Sequence, residues 1–126
     1  MKKARILICD DEPGVRESLK LILGTEYALV FAKDGQEAVE YIKSHDVDIA
    51  ILDVKMPRMS GLEALQQIKK IKPKIRVLVA TGYESSDVAS QAINLGADDY
   101  LVKPFERQKV LTKIQSLLTP PHSTIS

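Results

Sequence analysis

Tryptophan is missing from the chain, and cysteine occurs once, as Cys9. A single thiol rules out a disulfide framework within the chain. Cys9 sits inside an apolar run, which marks it as a buried, reduced side chain. An excess of charge is missing too: 18 Lys and Arg stand against 17 Asp and Glu, a net +1 that sets up no strong field toward nucleic acid or anionic lipid. Neither direct nucleic-acid binding nor membrane association is therefore expected. Long hydrophobic runs are lacking, so no stretch spans a bilayer. The opening MKKARILICDDE has too short an apolar run before its acids to be the core of a signal peptide. A cytoplasmic location is the expectation. The one basic run, KKIKPKIR (69–76), falls at a predicted helix C-terminus, where cations complement the helix dipole, and reads as a solvated helix end.

What remains is material for a core. Apolar residues make up 44% of the 126 and charged residues 28%, as in one soluble globular domain. The periodicity switches repeatedly along the chain. ARILIC (4–9), ALVFA (28–32), DIAILD (48–53), IRVLVA (75–80) and YLV (100–102) read as strands. Between them lie helical patterns. Pro13 opens the first, with Val15, Leu19, Ile22 and Leu23 on one face and Gly24 as its stop. Asp34 caps the second, which runs to His45, and Ser60 caps the third, GLEALQQIKKI. Ser85 or Ser86 caps the fourth, which reaches Leu95 and stops at Gly96. Val110, Leu111, Ile114, Leu117 and Leu118 mark the last, ended by Pro120 and Pro121. Near-continuous apolar strands alternating with helices predict an α/β fold: a doubly wound (βα)5 domain, flavodoxin-like, with a five-stranded parallel sheet covered on both faces. Residues 1–119 form that domain, and 120–126, PPHSTIS, form a tail or the start of a linker.

In such sheets ligands bind beyond the carboxyl ends of the strands. Asp10 and Asp11 follow the first strand and Asp53 ends the third. Thr81 and Gly82 follow the fourth, and Lys103 follows the fifth. Three carboxylates, a hydroxyl and an ammonium thus converge on one rim. The consecutive acids Asp10, Asp11 and Glu12 repel one another; a small hard cation that Asp10, Asp11 and Asp53 could bind would offset this. Mg²⁺, with Mn²⁺ as a substitute, suits an all-oxygen set. No His or Cys is expected nearby to favour zinc, and His45 and His122 read as surface residues. A metal beside a carboxylate, a hydroxyl and a lysine fits phosphoryl transfer, with Asp53 as nucleophile forming an aspartyl phosphate.

LICDDEPGVR, DIAILDVKMPRMSGLEAL, VLVATGY and GADDYLVKPF stand in one order and spacing. In this the chain resembles the receiver domain of bacterial two-component response regulators, the chemotaxis-Y-like family, from about residue 4 to 118. The resemblance implies a regulatory phosphoacceptor that catalyses only its own phosphorylation and dephosphorylation. Asp53 would take a phosphoryl group from a phosphohistidine on a sensor histidine kinase or phosphotransfer protein. Asp11 would bind Mg²⁺ directly, Asp10 largely through water, and the Lys55 main-chain carbonyl would be a further ligand. Lys103 would pair with a phosphoryl oxygen. Thr81 would move toward the phosphoryl group, with Tyr100 swinging inward behind it. The Lys103–Pro104 bond would be cis. The output face would be the fourth helix, fifth strand and fifth helix, acting on a downstream effector protein or an attached effector domain, in a monomer or a phosphorylation-dependent dimer. Lys55 and Tyr83 would flank the pocket, similar to relay-type receivers that hold their phosphoryl group and pass it on.

Other classes fit less well. A haloacid-dehalogenase-like phosphatase would want a second Asp two residues after the nucleophile, where Lys55 stands. A flavin carrier would need a glycine- and hydroxyl-rich phosphate loop after the first strand, where the acids stand. A degenerate receiver would have lost Asp53, one of the acid pair or Lys103, and all are present.

Overall fold

The structure, a computed structural model, describes residues 3–56, 58–82 and 86–118. The cap at Ser85 or the Ser86 side chain, the Tyr83 side chain, His122 and the tail 120–126 lie outside the described residues. Ten elements alternate: β1 Arg5–Cys9, α1 Pro13–Leu23, β2 Ala28–Ala32, α2 Gly35–Ser44, β3 Ile49–Asp53, α3 Gly61–Ile71, β4 Arg76–Thr81, α4 Ser86–Asn94, β5 Asp99–Val102 and α5 Arg107–Leu118. Local chemistry explains the helix starts. Pro13 occupies the first helical turn of α1, where its missing N–H costs nothing. The Asp34 carboxylate accepts from the Glu37 N–H and caps α2, and the Ser60 hydroxyl does the same for Glu63 in α3.

All strands pair in parallel, in the order β2-β1-β3-β4-β5. Because side chains alternate along a strand, β1 sends Leu7 and Cys9 to one face and Ile6 and Ile8 to the other. The first face packs against α2 and α3, with Ala92 of α4. The second face packs against α1 and α5, through Leu19, Leu23, Val110 and Ile114. Every residue of β3 is buried, so each of its Ile and Leu side chains contributes about 1.5–3 kcal/mol of burial.

The sheet is covered on both faces, as expected; β2 and β5 are its edges with one neighbour each, and Phe31 on β2 stays 38% exposed. Two expectations need correction. Backbone pairing carries two strands past their apolar residues, since Thr81 pairs with Val102 and Leu78 with Asp99. Finally, the basic run 69–76 is not simply solvated. Lys69 turns back from the end of α3 to donate to the Ile75 carbonyl at 2.7 Å and to Asp98 at 2.9 Å, and Arg76 donates to the same carboxylate at 3.3 Å. The reason is the parallel topology, which sets the starts of β4 and β5 beside the end of α3.

Candidate functional site

The carboxyl ends of β1, β3, β4 and β5 share one rim because the strands are parallel and in register. Four polar residues are buried among the described residues: Asp10, Asp34, Asp53 and Thr81. Three of them stand at this rim. Asp10 follows β1, its N–H bonded to the Ala32 carbonyl at 3.1 Å. Its Oδ1 accepts from the Glu12 N–H at 2.9 Å, an Asx-type turn that folds the three consecutive acids around one point. Arg16, from the first turns of α1, donates to the Asp10 main-chain carbonyl at 2.7 Å and fixes the base of that turn. Asp53 ends β3, and the next residue, Val54, still bonds to Ala80. Gly61 opens α3 directly against Asp53, where a Cβ would overlap the Asp53 carbonyl oxygen, so only glycine admits this approach. Thr81 ends β4, and its carbonyl accepts from the Lys103 N–H at 2.8 Å. The Lys103–Pro104 bond is cis.

Lys103 closes the arrangement. Its Nζ lies 3.0 Å from Asp10 Oδ2, 3.1 Å from Asp53 Oδ1 and 3.6 Å from Glu12 Oε1. One oxygen from each of Asp10, Asp11, Glu12 and Asp53 falls within 4.8 Å of the others. The balance is uneven, four carboxylates to one ammonium. Burial, with the neighbouring charge of Asp10, raises the Asp53 pKa, and the Lys103 bond and charge only partly oppose this. For Lys103 burial favours the neutral form, but bonds to Asp10 and Asp53 outweigh it and the pKa is raised, so the ammonium stays charged.

Sequence reasoning singled out Asp10, Asp11, Asp53, Thr81 and Lys103, and the fold brings them together. It left Glu12, Arg16 and Gly61 without a place. An acid two residues before a free N–H is the signature of the turn that brings Glu12 in. Lys55 is exposed on the loop after β3. Tyr100 is half-buried on β5, its ring 4.7 Å beneath the Lys113 ammonium of α5 and its carbonyl bonded to that ammonium at 2.6 Å. Cys9, the residue before Asp10, contributes no atom to the cluster; its thiol donates instead to the Asp34 carbonyl at 3.1 Å. Burial, then the charges of Asp34 and Asp10, push its pKa far above the usual thiol value. It is held protonated and stands outside the set of clustered ligand atoms. The remaining donors are all oxygens, which fit a hard divalent cation such as Mg²⁺.

A family model described as the response regulator receiver domain matches residues 6–115. The chain belongs to that family. Curated receivers similar to it include the response regulator MprA of Mycolicibacterium vanbaalenii, 40% identical over 115 residues, covering 90% of this chain and 50% of that protein. MprA of Mycobacterium ulcerans is 41% identical over the same lengths. The chain thus spans about half the length of the curated relatives it matches. A CheY-like receiver domain from Methanospirillum hungatei superposes with a TM-score of 0.85 at 34% identity, covering 91% of this chain and 93% of that one. CheY from Borrelia burgdorferi, solved as a CheX–CheY–BeF3–Mg²⁺ complex, gives 0.89 at 29% identity, covering 94% and 92%. The chain is a receiver domain of two-component response regulators, a regulatory domain with the flavodoxin-like fold. Among the described residues no helix is long and apolar enough to cross a membrane.

Proposed function

We propose that this receiver accepts a phosphoryl group on Asp53 from a phosphohistidine of a sensor kinase or phosphotransfer protein. The observation that carries the reading is the placement of Lys103 Nζ 3.0 Å from Asp10 and 3.1 Å from Asp53, against a cluster of four carboxylates. An Asp53 oxygen attacks phosphorus, the P–O bond forms as the P–N bond of the phosphohistidine breaks, and the leaving imidazole takes up a proton. Mg²⁺, held by Asp10, Asp11, Asp53 and the Lys55 main-chain carbonyl, would neutralise charge on the transferring oxygens. The Lys103 ammonium exchanges its bond to Asp53 for one to a phosphoryl oxygen. The Thr81 hydroxyl donates to another and, with Tyr100, passes the change to β5 and the α4-β5-α5 face. Tyr100 is tied to α5 through Lys113, so movement of its ring breaks a cation–π contact and is felt by that helix. Lys55 and Tyr83 are assigned to the flank of the phosphoryl group, where they would exclude water and lengthen its life for relay.

A second reading concerns output. The curated relatives are about twice as long as the matched region, which favours a receiver that acts on an attached effector domain rather than on a separate protein. In either case the test of the acceptor is the same. Incubation with a small phosphodonor and Mg²⁺ adds one acid-stable, base-labile phosphoryl group, seen by mass spectrometry, and Asp53→Ala abolishes it. Unchanged labelling of that variant would remove Asp53 from the role.

A further inference from the structure

Asp34 is the one buried carboxylate among the described residues that the proposed chemistry leaves without a task. Capping α2 accounts for only half of it. Oδ1 accepts from the Glu37 N–H at 2.8 Å, a service that Ser60 performs for α3 with a plain hydroxyl. Oδ2 faces Arg58 Nε at 3.8 Å, across to the loop between β3 and α3. The Asp34 carbonyl accepts the Cys9 thiol, and the same sulfur lies 3.3 Å from Met56 Sδ in that loop. The next residue, Gly35, completes the contact: a Cβ there would sit 2.6 Å from the Met59 carbonyl oxygen. Met56, Arg58 and Met59 are therefore all held from the N-terminus of α2 and the end of β1. Lys55, whose main-chain carbonyl is the proposed fourth ligand, lies between Asp53 and Met56.

The backbone of this loop is strained. Arg58 has φ +67°, and it is the only non-glycine residue with positive φ among those described. A left-handed residue of this kind is disfavoured and persists where its surroundings hold it. The Asp34–Arg58 pair does not offset this alone, because the Arg58 side chain is 70% exposed and water screens so exposed a pair. The hold is thus distributed and weak in energy. Its effect belongs in where the loop sits, not in how stably the domain folds.

We infer that Asp34, through Arg58 and with Gly35 and Cys9 beside it, is a positioning residue that sets the β3–α3 loop for divalent-cation binding at the acidic rim. This rests on the Mg²⁺ reading above, so the test separates the two. Asp34→Asn keeps the α2 cap, since Asn and Asp cap equally well, and keeps the carbonyl that receives the thiol. It removes only the charge that faces Arg58. Gly35→Ala pushes directly on the Met59 carbonyl. The measurement is the melting temperature of the full chain as Mg²⁺ is titrated, with Asp11→Ala as the binding-deficient reference. In metal-free buffer Asp34→Asn melts within a few degrees of wild type, yet it needs several-fold more Mg²⁺ to reach half of its stabilisation. Gly35→Ala shifts that midpoint in the same direction and further. At saturating Mg²⁺, phosphorylation of Asp34→Asn by a small phosphodonor returns to the wild-type rate. If Asp34→Asn leaves the Mg²⁺ midpoint at the wild-type value, whatever its metal-free melting temperature, the charge of Asp34 does not set the loop and the inference is overturned while the Mg²⁺ reading stands. If wild type itself shows no Mg²⁺-dependent stabilisation beyond that of Asp11→Ala, both are overturned.

Discussion

The two ends of the sheet each hold a partly buried carboxylate against a lysine, and they are built to opposite balances. At the amino end Asp98 accepts from the Val77 N–H at 2.8 Å, Lys69 at 2.9 Å and Arg76 at 3.3 Å. Two cations and an amide serve one acid. At the carboxyl end a single ammonium serves Asp10, Asp53 and Glu12, with Asp11 beside them. Burial raises the pKa of either acid. At Asp98 the Val77 amide and the two cations overcome it and the net shift is downward. At Asp53 the added charge of Asp10 keeps the net shift upward. Identical functional groups thus give a settled structural joint at one end and an electrostatically unsatisfied site at the other. A site that must take up a cation and an anionic group has reason to be left unsatisfied; a joint between α3, β4 and β5 has none.

The largest expected effect follows directly. Asp98→Ala leaves the Val77 amide unpaired and Lys69 with carbonyl acceptors but no countercharge, and costs about 2–3 kcal/mol of folding stability. Asp53→Ala, measured without Mg²⁺, relieves repulsion between acids and is neutral or stabilising. Urea unfolding of the two variants beside wild type makes the comparison. Equal losses for both would mean that the two ends do not differ in kind.

Much of this architecture was legible from residue patterns, and the reasons are physical. Apolar runs of strand length, with Asp34, Ser60 and Pro13 at helix starts, report local backbone preferences that the fold respects. The rim residues were legible because parallel strands put every strand's end on the same side. The amino-end joint was not legible. Lys69 looked like a solvated helix terminus, and nothing local to Asp98 reveals that the crossovers bring Lys69 and Arg76 to it from 29 and 22 residues away. The left-handed Arg58 was hidden for a related reason, since arginine is not a residue type that marks a positive φ and the carboxylate that faces it, Asp34, belongs to a different element. Strand ends shifted by a residue because ladder pairing at Thr81 and Asp99 continues after the apolar pattern has stopped.

The same contrast appears in pH dependence, as a redistribution of part of the energy above. The folded-state pKa of Asp98 lies below its unfolded value of about 3.9. Its contribution is therefore present above the unfolded pKa and is lost as pH falls through the folded one. For Asp53 the folded-state pKa lies above the unfolded value. Its contribution is present below the unfolded pKa and is lost as pH rises through the folded one, so it opposes stability at neutral pH in metal-free protein. Asp98→Asn should flatten the acid limb of a stability–pH curve. Asp53→Asn should lift the neutral part of the curve relative to the acid part. Urea midpoints collected across the acid range in chelator-treated buffer check both. Slopes that change in the same sense for both variants would contradict the assigned balances.

The smallest effect concerns Lys55, the cation that could in principle redress the balance at the carboxyl end. It is exposed, two residues beyond Asp53, and it belongs to the loop held by α2. Its proposed work is done only once Asp53 carries a phosphoryl group. Hydrolysis of that group needs a water in line with the bond to be broken, held by a positioning group. A lysine ammonium donates hydrogen bonds but has no acceptor, so it cannot position a water as a general base would. Its stem and charge take the place of a positioned water. An Asn at the same place is shorter and both donates and accepts, so it leaves room for a water and can orient it. Lys55→Asn should therefore shorten the life of the phosphorylated form by a few-fold; a tenfold change would correspond to about 1.4 kcal/mol of barrier. Without phosphodonor the same substitution should leave folding stability almost unmoved, because the side chain is exposed. The decay of the two phosphorylated proteins, followed side by side at one Mg²⁺ concentration, decides the matter. Equal rates, or a longer-lived variant, would show that Lys55 does not shield the bond, and Lys103 would then stand as the one lysine serving the phosphorylated rim.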